Sequence, residues 1–136
     1  MVDIPPQRPV SRPLSPHLQV YRWGWHMAVS IVHRVTGVAL ATAGVVLTLW
    51  WLGAAASGPE AYARFHSVIS SLLGRLVLLG LTFTVFQHMM SGLRHLYLDT
   101  GRGYDLAENR RLSIACFLGS VLLTLAVWGL SFSGAV

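Results

Sequence analysis

Three long stretches of the chain carry no formal charge. No Asp, Glu, Lys or Arg occurs between Arg34 and Glu60, between Arg75 and Arg94, or after Arg111. A helix needs about 20 apolar residues to cross roughly 30 Å of hydrocarbon, and each gap is long enough. The pattern predicts an all-α integral membrane protein, a bundle of three transmembrane helices at about residues 27–56, 66–98 and 112–132. Ser57, Gly58 and Pro59 end the first segment, and Asp99, Thr100, Gly101, Arg102 and Gly103 end the second. The second is long enough that tilt or projection beyond the bilayer is expected. Pro5, Pro6, Pro9, Pro13 and Pro16 exclude a continuous helix at the start of the chain. Residues 1–21 are therefore expected to form an extended, proline-rich arm against a partner or the membrane surface, with the three-helix domain over 22–136. Tyr21, Trp23 and Trp25, flanked by Arg22 and His26, mark a membrane–water interface.

Composition sharpens this picture. Apolar residues make up 54% of the 136 and charged ones only 11%, against about a quarter charged in a soluble domain. The net charge is +5 and all ten basic residues are Arg. They flank the apolar segments instead of forming a basic face, which points to membrane topology and lipid contact and away from nucleic acid. Arg8, Arg12, Arg22 and Arg34 mark the N-terminal side, and Arg94, Arg102, Arg110 and Arg111 the second loop; the first loop region has only Arg64 and Arg75. The expected topology puts the N-terminus and second loop in the cytoplasm and the C-terminus outside. The first apolar run exceeds the 7–15 residues of a signal-peptide core, so no cleaved signal is expected. No Arg- and Ser-rich transit segment precedes it, which favours a bacterial inner membrane over the mitochondrial one. The single Cys116 cannot form an internal disulfide.

Ionisable groups within membrane helices are costly and usually functional. Ser30, His33, Arg34 and Gly37 fall at i, i+3, i+4 and i+7 and share a helix face; His88, Ser91, Gly92 and His95 repeat that spacing. His88 lies about 15 Å from the end of its helix, so both stripes fall in the same half of the bilayer. From spacing alone, His88 is either hydrogen-bonded between packed helices or an axial ligand of haem iron. His95 lies about 10.5 Å further along the axis, so the two cannot clamp one iron, and a second axial histidine would come from elsewhere. Arg34 either reaches to lipid phosphate or, with His33 and Ser30, meets a buried anion or a quinone carbonyl. Asp99 is expected to cap its helix or to pair with Arg94 or Arg102. Ser113, Cys116, Ser120 and Thr124 form a narrow stripe suited to close helix packing.

Two runs carry a family resemblance. RPLSPHL at 12–18 followed by SIVHRVTG at 30–37, and HMMSGLRHLYLD at 88–99, resemble the two signatures of the cytochrome b, membrane-anchor subunit of succinate dehydrogenase (respiratory complex II). Leu98 departs from the aromatic or Met usual before the Asp, but stays large and apolar. The resemblance implies His88 as axial ligand of haem b, and so of its iron, with His33, Arg34 and His95 near the haem. It also implies Ser30 and Arg34 at a ubiquinone-reduction site. The second axial histidine would come from another small membrane subunit. A flavoprotein subunit and an iron–sulfur subunit would dock on the cytoplasmic face, since this chain has neither a dinucleotide fingerprint nor a cysteine cluster. The chain would then serve quinone reduction, not succinate chemistry itself. The alternatives are the anchor of a quinol:fumarate reductase and a purely structural, haem-free anchor. A transporter would need polar residues across the whole bilayer, and here they cluster on one side.

Overall fold

A computed structural model of the protein describes His17 and residues 20–133. Most of the arm expected over 1–21, and with it most of the run at 12–18, lies outside the described residues. Those described contain four helices and no strand: α1 (Trp25–Ala56), α2 (Pro59–Ser70), α3 (Leu72–Asp99) and α4 (Leu106–Phe132). Three of them, α1, α3 and α4, are long and apolar enough to cross a membrane. This is the three-span, all-helical architecture that the charge gaps predict.

The helix boundaries depart from the sequence expectation in physically instructive ways. The second segment does not run unbroken from 66. Ser71 adopts an extended backbone, and its hydroxyl donates to the Val68 carbonyl at 2.6 Å while accepting from the Gly74 N–H at 3.1 Å. One residue thus closes α2 and caps α3. A Cβ on Gly74 would collide with the Val68 and Ile69 carbonyls, so the elbow needs glycine there. Upstream, Gly58 at φ 98° turns the chain and Pro59 opens α2. Phe65 of α2 packs edge-on against Trp50 of α1 at 4.9 Å. At the other loop, α4 starts at Leu106 instead of 112, because Asp105 accepts the Ala107 N–H at 3.1 Å. α3 ends on Gly101 at φ 82°, whose N–H reaches the Leu98 carbonyl at 2.9 Å. Asp99 is exposed at that end, and Arg94 donates to Asn109 instead of to Asp99.

α1 contains a π-helical turn, Leu40–Gly44, between α-helical stretches Trp25–Ala39 and Val45–Ala56. Val45 N–H reaches the Leu40 carbonyl, five residues back.

The packing is inverted relative to a soluble bundle. Buried positions include Thr36, Gln87, Ser91, Arg94, Ser113, Ser120 and Thr124, whereas Leu72, Leu73, Val46 and many other large apolar residues face outward. The Ser113, Cys116, Ser120 and Thr124 stripe is the inner face of α4. It meets α3 along an antiparallel seam: Trp128 Nε1 donates to Thr82 Oγ1 at 3.3 Å, Ser120 Oγ to Gln87 Oε1 at 2.5 Å, and Cys116 Sγ to the Met90 carbonyl at 3.4 Å. Further along, Arg94 Nη2 donates to Asn109 Oδ1 at 2.6 Å and Tyr97 Oη to Glu108 Oε1 at 2.7 Å. Lipid tails are as apolar as Leu, so small residues and hydrogen bonds must hold such helices together.

The elbow supplies a test. Gly74→Ala should destabilise the protein by roughly 1–3 kcal/mol, since backbone carbonyls cannot yield to an inserted methyl. Gly80→Ala, whose Cβ meets nothing within 4 Å, should be neutral or stabilising. Thermal unfolding in detergent compares them; equal midpoints would refute the role assigned to the elbow.

Candidate functional site

Ser30, His33, Arg34 and Gly37 lie near the start of α1, and His88, Ser91, Gly92 and His95 near the end of α3. Antiparallel packing brings these ends together. The His33 and His88 rings stack at 4.1 Å with planes 11° apart, and His95 lies 5.0 Å from His33 at 57°. Gly37 permits the contact: a Cβ there would sit 3.2 Å from His88 Cε1.

The His88 ring is held from one side. Its Nδ1 lies 3.3 Å from the His33 carbonyl and 3.3 Å from Thr36 Oγ1. The buried Thr36 hydroxyl is itself tied back to the Val32 and His33 carbonyls at 2.8 and 2.9 Å. A carbonyl only accepts, so this network assigns the proton to Nδ1 and leaves the lone pair on Nε2. Nε2 has no hydrogen-bond partner among the described residues. His33 Nδ1 is buried and likewise lacks a partner among them.

The two stripes divide between environments. His33, Gly37 and His88 face each other between α1 and α3. Ser91 is fully buried and accepts from Gln87 Nε2 of the same helix at 3.2 Å. Gly92 flanks His88 one turn on, and a Cβ there would meet nothing within 4 Å. His95 and Arg34 are exposed and Ser30 half-buried; the Ser30 and Arg34 side chains have no hydrogen-bond partner among the described residues.

Comparison with known proteins identifies the family. Residues 8–127 match the family model described as succinate dehydrogenase/fumarate reductase transmembrane subunit. The chain belongs to that family. It is 45% identical over 113 residues to the succinate dehydrogenase cytochrome b556 subunit of Paracoccus denitrificans, covering 83% of this chain and 86% of the relative. It is 32% identical over 117 residues to the cytochrome b556 subunit of Rickettsia felis, covering 86% and 90%. It is 35% identical over 116 residues to the mitochondrial cytochrome b560 subunit of Sus scrofa, covering 82% and 67%. The resemblance read from the two signatures is borne out, and the chain is a membrane anchor of the succinate dehydrogenase cytochrome b kind.

Several buried polar residues near the two stripes escape a reading by stripe spacing. Thr36 is a spectator by sequence, yet it touches His88. Gln87 is fully buried, and Arg94 is 93% buried, being 7% exposed, with its Nε unpartnered among the described residues. An uncharged amide amid apolar neighbours, four residues before Ser91, was the available signal for Gln87. Arg94 was legible only as a topology marker, because its partner Asn109 sits in a stretch that reads as loop.

Proposed function

We propose that this chain is the haem- and quinone-binding anchor of a succinate dehydrogenase, with His88 as the axial ligand contributed by this subunit. The observation that carries the reading is the anchored His88 ring. A metal-bound histidine usually donates its other ring N–H to a carbonyl or carboxylate, which fixes its orientation. His88 has that bond, to the His33 carbonyl, and an Nε2 with no hydrogen-bond partner among the described residues. Among the described residues no group of three His, Cys, Asp or Glu could hold a metal ion. A single presented imidazole suits an iron already held by a macrocycle, with the second axial histidine supplied by a partner membrane subunit. Haem b, when bound, supplies one-electron transfer chemistry within the membrane.

The remaining residues serve binding and orientation. His33, with its unsatisfied buried Nδ1, and the exposed His95 and Arg34 offer donors to haem propionates. Ser30 and Arg34, one turn apart and unengaged, offer a neutral and a charged donor to ubiquinone oxygens, favouring the charge that builds up on them during reduction. Iron–sulfur and flavoprotein subunits dock at this end of the bundle and bring electrons from succinate. The direction toward quinone follows the succinate dehydrogenase relatives. The bundle spans a bacterial inner membrane with this end in the cytoplasm, a reading that the arginine distribution supports.

Three experiments test these assignments. His88→Ala should abolish the bis-histidine haem spectrum of the assembled complex, whereas His95→Ala should only perturb it. A normal spectrum in His88→Ala would refute the ligand, and a wild-type complex without haem would leave the structural anchor. For topology, a reporter active only in the periplasm, fused to Val136, should be active; an inactive reporter on a stable fusion would reverse the orientation. For quinone, Ser30→Ala and Arg34→Ala should lower quinone reduction about 10-fold or more, the scale of a lost charge-stabilising donor. Succinate oxidation by a soluble artificial acceptor should persist. An unchanged ratio of the two activities at equal complex content would move the quinone site elsewhere.

A further inference from the structure

Gln87 immediately precedes His88 and meets α4 instead of α1. Successive residues of an α-helix are about 100° apart, so whatever fixes the direction of Gln87 also fixes that of His88. Gln87 is 0% exposed and is the largest of the fully buried side chains. Its Oε1 accepts from Ser120 Oγ of α4 at 2.5 Å, and its Nε2 donates to Ser91 Oγ at 3.2 Å. Ser120 is also fully buried, with the Cys116 and Phe117 carbonyls each 2.9 Å from its hydroxyl. The clamp survives exchange of the two amide ends: Nε2 would donate to Ser120 Oγ, and Ser120 to the Cys116 carbonyl.

Besides this clamp, among the described residues only the Cys116 thiol, a weak donor 3.4 Å from the Met90 carbonyl, ties α4 to α3 near His88, and the other bonds between side chains of the two helices lie at a distance. Thr82, bonded by Trp128, is about 9 Å along the axis from His88, and Arg94, bonded to Asn109, about 9 Å the other way. In hydrocarbon, apolar side chains gain little by choosing a helix over a lipid. Directional bonds and shape must therefore resist rotation of α3 at the level of His88. On its far side the ring has little latitude, lying against Gly37 with room for no more than a hydrogen.

We propose that Gln87, held by Ser120, is a positioning residue that sets the rotation of α3 and so aims His88 at the haem iron. This rests on the reading of His88 as axial ligand. Gln87 touches neither iron nor substrate; it acts through the helix.

Ser120→Ala in the intact complex is the cleanest test, because it removes the partner on α4 and leaves α3 untouched. Gln87→Leu breaks the clamp from the other side. Thr124→Ala is the packing control: Thr124 is buried on the same stripe, but its hydroxyl bonds only within α4, to the Ser120 carbonyl at 2.7 Å. The readouts are the low-spin EPR signal of the oxidised haem, which depends on the relative orientation of the two imidazole planes, and the rate of haem loss to an apoprotein scavenger at equal complex content. Ser120→Ala and Gln87→Leu should both shift the EPR signal and speed haem loss about 10-fold, the lower end of the effect of a residue supporting a metal ligand. Thr124→Ala should do neither. A wild-type signal in both clamp variants overturns the proposal, as does an equal change in Thr124→Ala or failure of both clamp variants to assemble, either of which would make the role one of general packing. A wild-type complex without a bis-histidine haem signal overturns the ligand reading, and this proposal with it.

Discussion

Inside hydrocarbon, a helix has no reason to prefer another helix to a lipid tail on grounds of apolar burial alone. That constraint organises the molecule. Its interior sets Ser, Thr and Gln side chains and a buried Arg beside a few apolar residues such as Val29 and Leu98, while most large apolar residues face outward. The seam between α3 and α4 is a series of hydrogen bonds, from Trp128–Thr82 through Gln87–Ser120 to Tyr97–Glu108. Each such bond contributes about 0.6 kcal/mol on average in a bilayer, and at most about 1.7. Their number and spacing matter more than any one of them, because together they fix the axial offset of one helix against the other.

This seam serves as a fixed support for the third helix. With α3 held against α4 on one face, another face presents His88 and His95 to α1. There the close approach depends on the lack of a side chain at Gly37, and Thr36 and the His33 backbone hold the ring nitrogen. The pair α3–α4 sets direction, and α1 supplies the surface that limits it. Ser30 and Arg34 remain on the outer flank of α1, where something beyond this chain can reach them.

Much of this is legible in the sequence because hydrocarbon enforces simple rules. Charge-free gaps give the three spans, and heptad-like spacing of His, Ser and Gly gives the two facing stripes. The signatures give the family. What escapes is set by single residues acting on backbone geometry. Ser71 ends one helix and starts the next within a run that reads as continuous, and Asp105 starts α4 before the apolar stretch begins. Ser91 shares a stripe with His88 by spacing, yet its bond is to Gln87 one turn back on the same helix and not to the histidines. Spacing states which residues share a face; it does not state which neighbour that face will meet.

The π-helical turn at Leu40–Gly44 has a geometric consequence for how this chain tolerates change. An extra residue in the repeat offsets the faces on its two sides by about 100°. Thr36 and Ala54, separated by 18 residues and so aligned on an uninterrupted helix, are turned apart. Thr36 looks to the histidines, and Ala54 lies on the outer stretch that α2 covers. The two halves of α1 therefore follow separate azimuthal rules, so the outer half can drift in sequence to suit a different lipid or loop while the inner half keeps its aim.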